Sequence, residues 1–204
     1  MLEQMLNLHD FKIVMADLSL IIMTIGYIYY SWQTIRRHAV PHPLAWIPFG
    51  FLTGTGWLVQ VAGNAGPGAW VMGWTALWCF VIGFLGFAKY KRKTTAGEWA
   101  SLVLSVVIFG FYLGTKNATL AAILATTTDV ILYYPIFKKG WDLPHEDSAM
   151  GIFFNSLKFI PSMFAMNEYS IATSLYPVAM IVINAATPLF LVWRRQYVSR
   201  LTKT

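Results

Sequence analysis

The stretch ILYYPIFKKGWDLPHE (131–146) has an earlier counterpart in YYSWQTIRRHAVPHP (29–43). Each is an aromatic helix end followed by a basic pair, a short loop and a Pro-His, at Pro41-His42 and Pro144-His145. The offset of 103 residues between those prolines also brings Asn64 opposite Asn167, each in a turn before the last apolar run of its half. Identity is slight, but the shared order of features predicts a three-helix unit used twice.

Outward from these loops the chain is a series of apolar runs. A helix needs about 20 mostly apolar residues to cross a hydrocarbon layer. Seven runs meet that need, at 13–33, 44–62, 69–88, 98–114, 118–137, 149–166 and 171–193. Three helices reverse the membrane side, so two parallel copies need an odd helix between them. The run at 98–114, introduced by Lys91, Arg92, Lys93 and Glu98 and faced with Leu, Val, Ile and Phe, suits that linker. The expected fold is an all-α integral membrane protein of seven transmembrane helices in a 3+1+3 order. Its parts are a first bundle (1–90), a linker helix (91–117) and a second bundle (118–204).

Composition agrees. Of 204 residues, 57% are hydrophobic and 12% charged, against about 45–50% and about 25% in soluble domains. That excludes disorder, a nucleic-acid-binding domain and an ordinary cytosolic enzyme. The net charge of +6 arises from clusters between the runs, which is how topology is encoded. Basic residues follow runs 1 (Arg36, Arg37), 3 (Lys89, Lys91, Arg92, Lys93), 5 (Lys138, Lys139) and 7 (Arg194, Arg195, Arg200, Lys203). This places the N-terminus outside and the C-terminus inside. The first residues lack the features of a cleaved signal, so run 1 is expected to be retained. The bilayer is the expected environment, a plasma or bacterial inner membrane, with oligomerisation left open.

Candidate site residues follow from charge and helical spacing. Asp129 and Lys158 lie within runs 5 and 6, and an ionisable group there is a functional candidate by default. A structural ion pair and a gating or coupling pair are equally compatible with them. Thr126, Asp129 and Tyr133 share one face of run 5, as do Asn155, Lys158 and Ser162 in run 6. Thr53, Trp57, Gln60 and Asn64 form a stripe in run 2, and Tyr176, Met180, Asn184 and Thr187 one in run 7. Four polar stripes predict a hydrated cavity touched by Asn184, Asn155, Trp57 and Gln60. Trp78 is either packing or a stacking surface. Asp17, with Thr24 and Ser31, lies near the outer surface and is either a solvated helix start or an outer gate. Pro135 and Gly54-Thr55-Gly56 would allow bending. His9, His38, His42 and His145 sit in loops or ends, and metal binding is not expected. The lone Cys79 excludes an internal disulfide. No enzyme signature occurs, and no cofactor is implied. Asn117-Ala118-Thr119 is formally a glycosylation triplet.

With seven runs and this order, the chain resembles the SWEET sugar transporters and the wider PQ-loop membrane proteins. Tyr134-Pro135-Ile136-Phe137-Lys138-Lys139 is similar to the PQ-loop segment. In the first half Trp32-Gln33-Thr34-Ile35-Arg36-Arg37 stands opposite it, without a proline. The resemblance implies gate prolines, for which Pro48, Pro135 and Pro161 would stand. It also implies a substrate-binding Asn in the last helix of each half: Asn184 matches, and Val81 stands at the other position. The architecture also resembles the PnuC vitamin transporters, without their paired tryptophan signatures. The function implied is a secondary transporter or facilitator for a small polar solute, working by alternating access. A sugar is the leading solute, and a vitamin or nucleoside the next. A PQ-loop-type receptor, chaperone or scaffold subunit is the alternative.

Overall fold

The computed structural model describes residues 2–36, 43–87, 94–142, 144 and 149–201. The Pro41-His42 end of the first repeated stretch lies outside them. So do Arg37, His38, Lys89, Lys91, Arg92, Lys93, His145, Glu146, Asp147 and Lys203.

Every regular element among the described residues is helical. In chain order they are α1 (Leu2–Ile35), α2 (Pro43–Ala62), a 3-10 turn (Gly66–Ala69), α3 (Trp70–Phe87), α4 (Ala96–Thr115), α5 (Ala118–Leu132), α6 (Tyr134–Asp142), α7 (Ala149–Leu157), α8 (Phe159–Phe164) and α9 (Ile171–Leu201). Five segments are long and apolar enough to cross a membrane: Leu6–Ile35, Pro43–Ala62, Gly66–Phe87, Ala96–Thr115 and Ile171–Arg200. Their outward faces carry large apolar side chains, with Ile25 65%, Phe84 64% and Leu189 72% exposed. Water-soluble monomers rarely show contiguous apolar patches beyond a few hundred Å². The chain is a multi-pass membrane protein.

Runs 5 and 6 depart from the expected continuous helices. The first is split into α5 and α6 at Tyr133, the second into α7 and α8 at Lys158. The cause is proline chemistry. A proline lacks the N–H that the carbonyl four residues back requires, and its ring crowds that carbonyl. Pro135 thus strips Ile131, and Pro161 strips Leu157, of a helical donor. Tyr133 tightens instead, its N–H donating to the Val130 carbonyl at 3.1 Å. At the other break the Ser19 hydroxyl of α1 donates to the Lys158 carbonyl.

The helix ends are encoded locally. Thr95 caps α4 in a capping box with Glu98, satisfying two otherwise orphaned N–H groups. Lys116 ends α4 in the left-handed conformation, at φ 56°. The Asn117 side chain then caps α5, accepting from the Leu120 N–H at 3.1 Å. The carboxamide of the formal glycosylation triplet is therefore a helix cap.

Backbone packing repeats. α3 lies against both α1 and α2, whose own backbones do not come together; α9 lies against both α5 and α7, which likewise stay apart. Across the molecule α1 meets α7 and α8, while α2 meets α5. Among the described helices α4 packs only on α2 and α5, and it buries just Ser105, Ile108 and Tyr112.

At the end of the molecule carrying residues 63–68, that turn and residues 162–167 are joined closely. The Asn167 N–H donates to the Ala65 carbonyl at 3.0 Å, and the Ser162 hydroxyl to the Gly68 carbonyl at 3.0 Å. Gly66, at φ +63°, faces Asn167. A Cβ at Gly68 would come within 2.5 Å of Met166 Cγ and 2.8 Å of the Ser162 carbonyl oxygen. Only glycine admits this approach.

Candidate functional site

The two helix interruptions face the centre of the molecule, and their residues, Tyr133 and Lys158, are 6% and 2% exposed. Residues of α1, α2, α3, α4, α5, α8 and α9 converge there. Met23, Leu52, Met72, Ala125, Tyr133, Phe159, Tyr176 and Met180 form one apolar cluster, with Tyr27 and Trp78 packed against it.

Polar groups within this cluster fall into two sets. In the first, Asn184 Oδ1 accepts from the Tyr133 hydroxyl at 2.9 Å and from Asn155 Nδ2 at 2.8 Å. Asn184 Nδ2 donates to the Met180 carbonyl at 2.8 Å, so the amide orientation follows from its partners. Asp129, 2% exposed, takes the Tyr176 hydroxyl on Oδ2, and its Oδ1 has no hydrogen-bond partner. In the second set Lys158 Nζ donates to the Tyr27 hydroxyl at 2.9 Å. The ammonium lies 4.8 Å from the Tyr27 ring centre and 4.9 Å from that of Phe159. Aromatic faces attract a desolvated cation. Trp78 stacks on Tyr27, with centroids 6.1 Å apart, and its Nε1 is unpartnered.

Asp129 and Lys158 are therefore not a hydrogen-bonded ion pair. Each is held by a tyrosine hydroxyl, and a direct bond between them is replaced by two separate anchors. A buried carboxylate with a free oxygen is costly unless something else meets it.

The other expected residues fall as follows. Gln60 is buried, with Nε2 donating across to the Thr173 carbonyl at 2.8 Å. It thus ties α2 to α9 and does not touch the Asn184 set. Trp57 is 39% exposed, its indole lying over Gly73, apart from the central cluster. Thr53 and Gln60 of the same stripe are buried, so the face turns Trp57 outward. Asp17 is exposed and also stands apart; Thr24 of its stripe accepts from Trp74 Nε1 at 3.0 Å. Pro135 is the second residue of α6. Asn64 and Asn167 both line a shallow cavity of about 400 Å³ with Val61, Gly66, Pro67 and Trp70 at the glycine-rich end.

Tyr176 and Tyr27 hold the two charges but were not among the expected site residues. Tyr176 lies on the stripe of Asn184, two turns earlier, and a buried Asp on a neighbouring helix demands a donor. No comparable signal marks Tyr27, an aromatic in an aromatic-rich helix.

No protein-family model, curated protein or solved structure matches the chain.

Proposed function

We propose that the protein is a secondary transporter or facilitator for a small polar solute. It would cross the membrane seven times, N-terminus outside, as two three-helix bundles joined by α4. In this reading α5–α6 and α7–α8 are interrupted spans that, with α9, form the second bundle. The repeated packing supports it: α3 between α1 and α2, α9 between α5 and α7, and the reciprocal contacts of α1 with α7–α8 and α2 with α5. Lys138, Arg194 and Arg195 supply positive charge at one end. Arg194 Nε donates there to the Trp141 carbonyl at 3.0 Å and Arg195 Nε to that of Pro144 at 2.8 Å.

The observation that carries the proposal is the placement of Asp129 and Lys158. Both lie at the seam of the halves, beside or at helix interruptions, without bonding each other. Transport sites near a bilayer midplane are characteristically built at interrupted helices between repeats. With the glycine-rich end joined tightly, rocking of the bundles about that seam would expose the pair. Energy would come from a gradient of solute or protons.

The test is hydration. In a Cys79→Ser background, cysteines at Asn155 and Asn184 should react with a membrane-impermeant thiol reagent in intact vesicles. Complete protection of both, with a control cysteine at Asp17 labelled, would overturn the transport reading. It would favour the second one, a receptor, chaperone or scaffold, to which the dense filling by Met23, Tyr133, Tyr176 and Met180 also lends weight.

A further inference from the structure

We infer that the solute is a zwitterion of amino-acid type, its ammonium taken by Asp129 and its carboxylate by Lys158; this rests on the transport reading above. Opposite charges sharing a dry interior gain most by closing to contact, since attraction grows as separation falls. Here they do not close. Asp129 is fixed within α5 and drawn to Tyr176. Lys158 sits at a helix break whose carbonyl is bonded by Ser19, and its ammonium is drawn to Tyr27. The side chains are thus anchored apart.

The unused hydrogen-bonding capacity is divided by kind. On the α5 side the charged group's spare capacity is an acceptor, Asp129 Oδ1, with the Thr126 hydroxyl one turn earlier free to accept or donate; both are buried and unpartnered. Around Tyr27 it is donor capacity. Lys158 carries three N–H groups, of which one goes to the Tyr27 hydroxyl, and Trp78 Nε1 donates to nothing. An ammonium suits the first group and a carboxylate the second. A neutral sugar, the class implied by resemblance, offers hydroxyls to both sides and neutralises neither charge. A singly charged solute leaves one charge uncompensated. Met23 and Met180 belong to the same central cluster, and such unbranched side chains adapt readily to a bound molecule.

The experiment uses the whole protein in nanodiscs and follows thermal stabilisation by each proteinogenic amino acid, glucose, sucrose, a nucleoside and thiamine. Any stabilising amino acid is then compared with its N-acetyl and methyl-ester forms. Binding by at least one free amino acid is expected, and each blocked form should bind about a hundredfold or more weakly, since each loses one buried charge contact. The blocked ligands require no variant, so a misfolded Asp129→Asn or Lys158→Met protein does not spoil the test. Equal binding of free and blocked forms, or stabilisation by a sugar, nucleoside or thiamine alone, would overturn the zwitterion assignment and leave transport standing. Absence of binding by every amino acid overturns it as well. Joined with protected cysteines at Asn155 and Asn184, that absence removes both readings.

Discussion

Replacing Tyr176 with Phe should cost about 2 kcal/mol of stability, and nearly all of that cost should vanish when Asp129 is Leu. The substitution keeps the ring in place, so no cavity term enters. What is removed is the only hydrogen bond to the Asp129 carboxylate among the described residues, with Oδ1 unpartnered among them. A hydrogen bond to a charged group contributes about 1.5–3 kcal/mol in soluble proteins. Neutral interhelical bonds in bilayers average only about 0.6 kcal/mol and reach about 1.7, because the unfolded chain in the membrane also finds partners. Charge and the lack of a second donor place this bond above that average, at a coupling of about 1.5–2 kcal/mol. The assay is a double-mutant cycle, with reversible SDS-induced unfolding in mixed micelles followed for wild type, both single variants and the double. In the Asp129→Leu background the Tyr176→Phe effect should fall below about 0.5 kcal/mol. Additive costs, with coupling under about 0.5 kcal/mol, would refute the assignment of Tyr176 as the anchor of Asp129.

The same titration checks further variants. Asn184→Ala should cost about 2 kcal/mol, because Tyr133 and Asn155 both lose their acceptor at about 1 kcal/mol each, while Asn155→Ala should cost about half as much. Gly68→Ala should destabilise by about 1–3 kcal/mol through overpacking against Met166 and the Ser162 carbonyl. Gly26→Ala, with nothing within 4 Å of the added Cβ, should be neutral or stabilising. Thr95→Ala should cost about 1 kcal/mol through loss of the α4 cap, and an equal loss at the exposed Lys12–Asn167 contact is not expected, so Lys12→Ala should stay within about 0.5 kcal/mol.

How much the sequence reveals depends on whether the deciding force is local. Apolar length and turn chemistry are local, so α2, α3 and α4 fall close to the expected runs, while α1 starts 11 residues earlier than its run and α9 ends 8 residues later; Thr95 and Asn117 mark the starts of α4 and α5. The splits at Tyr133 and Lys158 were only half visible. Pro135 and Pro161 are plain in the sequence, yet Pro48, Pro177 and Pro188 sit inside unbroken helices. Whether a proline bends or breaks a helix depends on the packing around it, and Ser19, which bonds the Lys158 carbonyl at one break, lies far away in the chain. Helical spacing brought Asn155 and Asn184 onto inward faces, where they bond one another. It failed to separate Trp57 from Thr53 and Gln60, because a stripe drawn at i, i+4 and i+7 is broad enough to span two different neighbours. The pairing of Asp129 with Tyr176 and of Lys158 with Tyr27 is wholly tertiary, and no spacing rule contains it.

The contacts of α1 with α7 and α8 also bear on how the protein is made. Ser19 reaches the Lys158 carbonyl across 139 residues, Lys158 reaches Tyr27 across 131, and Lys12 reaches Asn167 across 155. α1 leaves the ribosome well before α7 and α8, so these three polar contacts wait until the intervening chain has been synthesised, whereas its Thr24–Trp74 contact with α3 can form earlier. During that interval Tyr27 and Ser19 face lipid, the insertion machinery or early neighbours such as α3. Contacts of such long sequence separation form late and slowly, and partly assembled multi-span chains are exposed to quality control while they wait. Nascent chains that end before residue 158 should therefore insert their early helices yet remain protease-sensitive at α1, becoming resistant only once α7 and α8 have entered the membrane.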